Sequence, residues 1–99
     1  MIIEFALLTI RPGSELEFEA VFPEAIKAIG GSAGYLSHEL RRSMETSNRY
    51  ALIVQWQTLE DHTVKFRGSP AFAQWRAKIG PYFDAAPVVE HFRSVGDAD

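Results

Sequence analysis

Residues 49–57, RYALIVQWQ, form a strand pattern that serves two apolar surfaces at once. Successive side chains of a strand leave by opposite faces. Tyr50, Leu52, Val54 and Trp56 therefore share one face, and Ala51, Ile53, Gln55 and Gln57 share the other. The opening stretch, MIIEFALLTI, behaves alike, with Ile3, Phe5 and Leu7 opposite Ile2, Ala6, Leu8 and Ile10. A sheet with helices on one side and water on the other alternates apolar and polar residues. These strands do not, so both faces need cover. Helices supply one layer, and a second copy of the chain is expected to supply the other, giving a homodimer joined through its sheet faces.

The remaining segments provide helices for a single layer. Arg11-Pro12-Gly13 closes the first strand with turn chemistry. Ser14 and Glu17 have the spacing of a capping box, in which each side chain accepts from the other's backbone N–H. Phe18, Val21, Phe22, Ala25 and Ile29 then make a helical stripe over residues 15–29, which Pro23 should kink or break after two turns. Gly30-Gly31-Ser32-Ala33-Gly34 ends it. Residues 35–44 alternate with Leu36, His38, Leu40, Arg42 and Met44 on one face, and pair with residues 49–57 as a hairpin. Thr58 caps a short helix carrying Leu59, His62 and Phe66 along one side. Gly68 stops it, and Ser69-Pro70 starts another with Phe72, Trp75 and Ile79 as its apolar stripe. Residues 87–95 make a last strand. The order β-α-β-β-(α-α)-β predicts an α+β, ferredoxin-like βαββαβ fold with a four-stranded antiparallel sheet. Ninety-nine residues hold one core, hence one domain over residues 1–99.

Charge and composition exclude several functions. Ten basic against 13 acidic residues leave a net charge of -3, and the signs are interspersed, so no basic face for nucleic acid is expected. Arg41-Arg42 lie among acidic neighbours. Without cysteine there is no disulfide, thiolate nucleophile or thiolate metal site. The apolar opening is short, contains Glu4 and lacks a basic leader, so it reads as a strand rather than a signal peptide or membrane span. A cytoplasmic protein is expected. No glycine-rich phosphate loop or nucleotide fingerprint occurs. His38, His62 and His91 lack ligand spacing, so neither a metal nor another bound cofactor is expected.

RPGSELEFE, GYLSHELRRS, NRYALIVQWQTLEDHTVKFRGSPAF and PVVEHF together resemble the antibiotic biosynthesis monooxygenase superfamily over residues 2–95. The step from Trp56 to His62, followed by Phe66 and Ser69, is its most specific portion. The resemblance implies a dimeric α+β barrel. Haem-degrading members carry Asn, Trp and an iron-ligating His where this chain has Ala6, Phe66 and Arg76, so haem degradation is not implied. Anthrone-oxidising members carry Asn, Trp and Tyr where this chain has Leu52, Trp56 and His62. That keeps the Trp, loses the Asn, and replaces the Tyr by another group able to move a proton.

The resemblance thus implies a cofactor-independent monooxygenase acting with dioxygen on a small aromatic or quinol-like compound. His62 and Trp56 are its candidate catalytic residues. Phe5, His38, Leu52, Phe66 and Trp75 are the expected substrate contacts in an apolar pocket between sheet and helices. An imidazole titrates near neutral pH and suits the role of base. Each of these residues also has a plainer role in core packing, and His91 beside Glu90 reads as structural. An isomerase or decarboxylase on the same scaffold, or a non-catalytic ligand-binding or stress-response protein, are the alternatives.

Overall fold

Strand β1 (Ile2–Thr9) lies between β3 (Arg49–Trp56) and β4 (Val88–Phe92), and β2 (Tyr35–Arg42) forms the edge beyond β3. All neighbours are antiparallel, with Ile2 opposite Trp56 and Glu4 opposite His91. The sheet order β2-β3-β1-β4 and three helices make the expected α+β ferredoxin-like fold. This computed structural model describes residues 1–96, and the last three residues of the expected 1–99 domain lie outside the described residues. Among the described residues no helix is long and apolar enough to cross a membrane.

Helices α1 (Glu15–Ala25), α2 (Lys27–Gly30) and α3 (Pro70–Ile79) cover one face of the sheet. Tyr50, Leu52, Val54 and Trp56 meet them, joined by Ala6, Leu8 and Ile10 from β1. Burial on β3 alternates accordingly, as its period of two demands. On the other face Phe5 stands edge-on to Phe92 with ring centres 6.4 Å apart, and Val88 and Phe92 are exposed.

Local chemistry departs from expectation at four places. Ser14 does not cap through its hydroxyl, because its backbone (φ −102°, ψ 8°) is not in the extended cap conformation. Glu15 accepts from Gly13 N–H at 2.8 Å instead. Pro23 is carried inside α1, and the break comes later, at Ile26. The proline removes one backbone bond, while Phe18, Phe22 and Ala25 hold the surrounding turns against the sheet. Leu36 sits at a register shift between Tyr35 and Ser37, so it leaves the face of His38 and Leu40 and is exposed. An extra residue in a strand reverses the alternation beyond it.

The fourth is the segment after β3. Thr58 does cap it: Asp61 N–H donates to Thr58 Oγ1 and Thr58 N–H to Asp61 Oδ2, both at 3.2 Å. Asp61–Phe66 then widens into a π-helical turn, with Arg67 N–H bonded to the His62 carbonyl five residues back at 3.2 Å. The wider turn buries His62 and Phe66 and leaves Leu59 outside, contrary to the single expected stripe. Asp61 packs against Gly34, whose φ of +82° and lack of a side chain are both required, since a Cβ there would run into the carboxylate.

Candidate active site

A cavity of about 320 Å³ lies between the sheet and its helical layer. That is the low end of the roughly 300–1,000 Å³ of small-molecule sites. Ala6 and Leu8 of β1, Leu52 of β3 and Val89 of β4 form its floor. Phe66, Phe72 and Trp75 supply aromatic walls, with Ile29 and Phe83 beside them.

One end is polar, and β1 makes it so. Glu4 shares the helix-facing side of the strand with Ala6 and Leu8, so the pleat aims its carboxylate inward, where it is buried. Trp56 Nε1–H donates to Glu4 Oε1 at 3.0 Å. His62 Nε2 stands 3.4 Å from the same oxygen. No described residue hydrogen-bonds Oε2, and among the described residues no buried side-chain oxygen lacks a partner, which leaves Oε2 open to the cavity that Glu4 lines. The His62 ring stacks on Trp56, with centres 5.3 Å apart and planes 19° from parallel. Its Nδ1 lies 2.8 Å from Nε2 of His91, which the β1–β4 register puts beside Glu4.

Burial sets the protonation of this chain. It raises the Glu4 pKa above 4.5, against the lowering effects of the Trp56 hydrogen bond and the Arg67 charge. Burial, then the charges of Arg67 and His91, press His62 down to about 4. His91 is lowered by burial and by Arg67. Both imidazoles are thus neutral at neutral pH, and the His62–Glu4 contact is not an ion pair there. With the His62 proton on Nε2, facing Oε1, its Nδ1 accepts from His91 Nε2–H. The opposite tautomers reverse that bond, with His62 Nδ1–H donating to His91 Nε2. The arrangement can receive a proton at a buried carboxylate and hold it beside two neutral imidazoles.

Of the expected site residues, His62, Leu52, Phe66 and Trp75 line this cavity together. Trp56 is wholly buried behind Glu4 and His62, so it supports the polar end and is not a wall. Phe5 corrects the sequence expectation, because its odd position on β1 sends it to the open face. His38 is likewise not a wall. It lies on edge strand β2, beyond β3 from the cavity, with Nδ1 2.6 Å from Tyr35 Oη and its ring against Phe22. Glu4, Arg67 and Arg76 were missed as wall residues, and His91 as the partner of His62. The available signal was Glu4 itself, a lone carboxylate in phase with Ala6, Leu8 and Ile10. Among the described residues no three His, Asp or Glu side chains are grouped to hold a metal ion.

A ferredoxin-like sheet with an apolar cavity under its helices, closed by a buried carboxylate, defines a small α+β domain built around a small-molecule-sized site. The chain belongs to the antibiotic biosynthesis monooxygenase family, whose model matches residues 1–78. Uncharacterized protein YczJ of Bacillus subtilis (strain 168) is 44% identical over 95 residues, spanning 96% of this chain and 100% of the relative. A solved protein from Bordetella bronchiseptica, assigned to the same family, has a TM-score of 0.91 and 37% identity over 95% of this chain and 96% of that one. SnoaB, a cofactor-independent oxygenase from Streptomyces nogalater, has a TM-score of 0.76 at 20% identity, covering 98% of this chain and 95% of its own. That last likeness is one of fold: the scaffold is of a type that carries cofactor-independent oxygenation in SnoaB.

Proposed function

We propose that the protein is a cofactor-independent monooxygenase that oxidises a small aromatic or quinol-like compound with dioxygen. The observation that carries this reading is the Glu4 carboxylate, buried at the end of an aromatic-walled cavity with one oxygen left for a ligand. An electron-rich substrate with an acidic C–H needs a base, a dry site and orientation. Glu4 suits the base better than His62, whose basicity is low and whose nitrogens both face protein partners. His62 holds the carboxylate in place, and Trp56 fixes the other side of Oε1.

For a methylene flanked by rings, Glu4 takes one proton and leaves a carbanion. The carbanion passes an electron to dioxygen, and the radical pair closes a C–O bond to give a peroxide anion. Glu4 returns its proton to the peroxide anion, which gives the hydroperoxide and restores the carboxylate. The carboxylate then takes the second C–H proton as the O–O bond cleaves to the carbonyl and hydroxide, and that proton converts hydroxide to water, leaving the base as it began. The net change is R₂CH₂ + O₂ → R₂C=O + H₂O.

Oxygen uptake with a panel of anthrones and hydroquinones tests the reading. Glu4→Gln and His62→Ala should each lower turnover by about 10²–10⁴-fold, while the exposed control Glu17→Ala matches wild type. Uptake no faster than without enzyme, across the panel, would remove the oxygenase reading. Conversion without oxygen uptake would favour an isomerase or decarboxylase.

A further inference from the structure

Proton removal at Glu4 gives no role to the two arginines in the cavity wall. Arg67 follows the π-helical turn and Arg76 lies on α3, and both line the cavity while remaining exposed at its solvent side. Neither forms an ion pair with a described acidic side chain, although Glu19, Glu24, Glu39 and Asp61 all have basic partners. Arg76 is held over the aromatic wall, with its guanidinium carbon 5.8 Å from the centre of the Phe72 ring. The charge of Arg67 also acts on Glu4, His62 and His91. The chain as a whole has a net charge of -3, so attraction of an anion to this mouth has to be local.

We propose that the cavity selects an aromatic acid, with its rings between Phe66, Phe72 and Trp75 and its anionic oxygen group on Arg67 and Arg76. Guanidinium forks match the geometry of carboxylates, and the charge-assisted bonds they make are about twice as strong as neutral ones. Aromatic walls beneath the cations bind the rings but do not discriminate charge. The acid group therefore stays at the mouth, and the reacting end of the ring system points inward to Glu4. This assignment rests on the cavity being the substrate site of the proposed oxygenase.

Calorimetry with naphthoate and its neutral isostere naphthamide, on the full chain, separates the two ideas. Naphthoate should bind about 10-fold or more tightly than naphthamide, and the preference should shrink as salt is raised. The double variant Arg67→Gln/Arg76→Gln should lose the preference while binding naphthamide as wild type does. Quenching of tryptophan fluorescence by either ligand, lost in Trp75→Leu, locates both in this cavity. Equal affinities, failure of both probes to bind, or a preference that survives the double variant would overturn the proposal. A charge preference without oxygen uptake by any substrate sinks the oxygenase and keeps the acid-binding site. Oxygen uptake indifferent to substrate charge does the reverse.

Discussion

Acidification from about pH 7 to about pH 5 should destabilise the fold chiefly through one imidazole. His62 has its pKa depressed from 6.5 to about 4 in the folded chain. Once unfolded, the chain takes up that proton as the pH falls through 6.5, while the folded chain refuses it until about 4. The stability conferred by keeping His62 neutral is therefore complete above 6.5 and disappears between 6.5 and 4. Each pH unit inside that window is worth at most about 1.4 kcal/mol, and integration from pH 7 to pH 5 gives about 2 kcal/mol. His91, depressed for the same reasons, adds in the same direction. Glu4 opposes them: its pKa is raised, so the cost of burying its charge falls as the solution approaches 4.5. The lowered carboxylates Glu24 and Asp61 act mainly below this window, under their reference values of 4.5 and 3.8. Urea unfolding followed by far-ultraviolet circular dichroism at each pH, at fixed protomer concentration, measures the loss. Wild type should lose about 2 kcal/mol, and His62→Gln, which carries no titrating ring, should lose correspondingly less. Equal losses in the two proteins would refute the assignment of the slope to His62. A wild type that gains stability would mean that Glu4 holds His62 protonated and that its neutral form is misassigned.

The open sheet face carrying Phe5, Val88 and Phe92 should be the contact of a homodimer. Light scattering coupled to size exclusion should give about twice the 11.1 kDa chain mass, and Phe5→Asp should shift it toward a single chain. A clean wild-type monomer would refute this. Gly34→Ala should cost at least about 1–3 kcal/mol through its positive φ and the collision with Asp61. Gly80→Ala, with open space at the Cβ position, should be near neutral by thermal melting.

The same property that made the fold legible concealed the site. Period-two alternation in residues 49–57 identified the helix-facing side of β3, because Gln55 and Gln57 mark its other side. Cap and stop chemistry at Thr58, Gly68 and Ser69-Pro70 placed the later helical pieces, since those signals act within a few residues. The π-helical turn and the shift at Leu36 escaped because each depends on tertiary packing: the collar of Asp61 around Gly34, and the pairing of β2 with β3. On β1 both faces are apolar, so periodicity cannot say which one meets the helices. Its one charged residue then misleads, because a carboxylate in a strand ordinarily points to water. Expecting Phe5 in the pocket turns its side of β1 toward the helices, and the structure has the reverse. Burying Glu4 costs desolvation that the Trp56 hydrogen bond and the Arg67 charge only partly offset, as its raised pKa attests. A fold has no structural need of a carboxylate there, since Ala6 and Leu8 already show what the floor accepts. Violations of local pattern concentrate at functional sites. The misleading residue is thus the one with the strongest claim to chemistry.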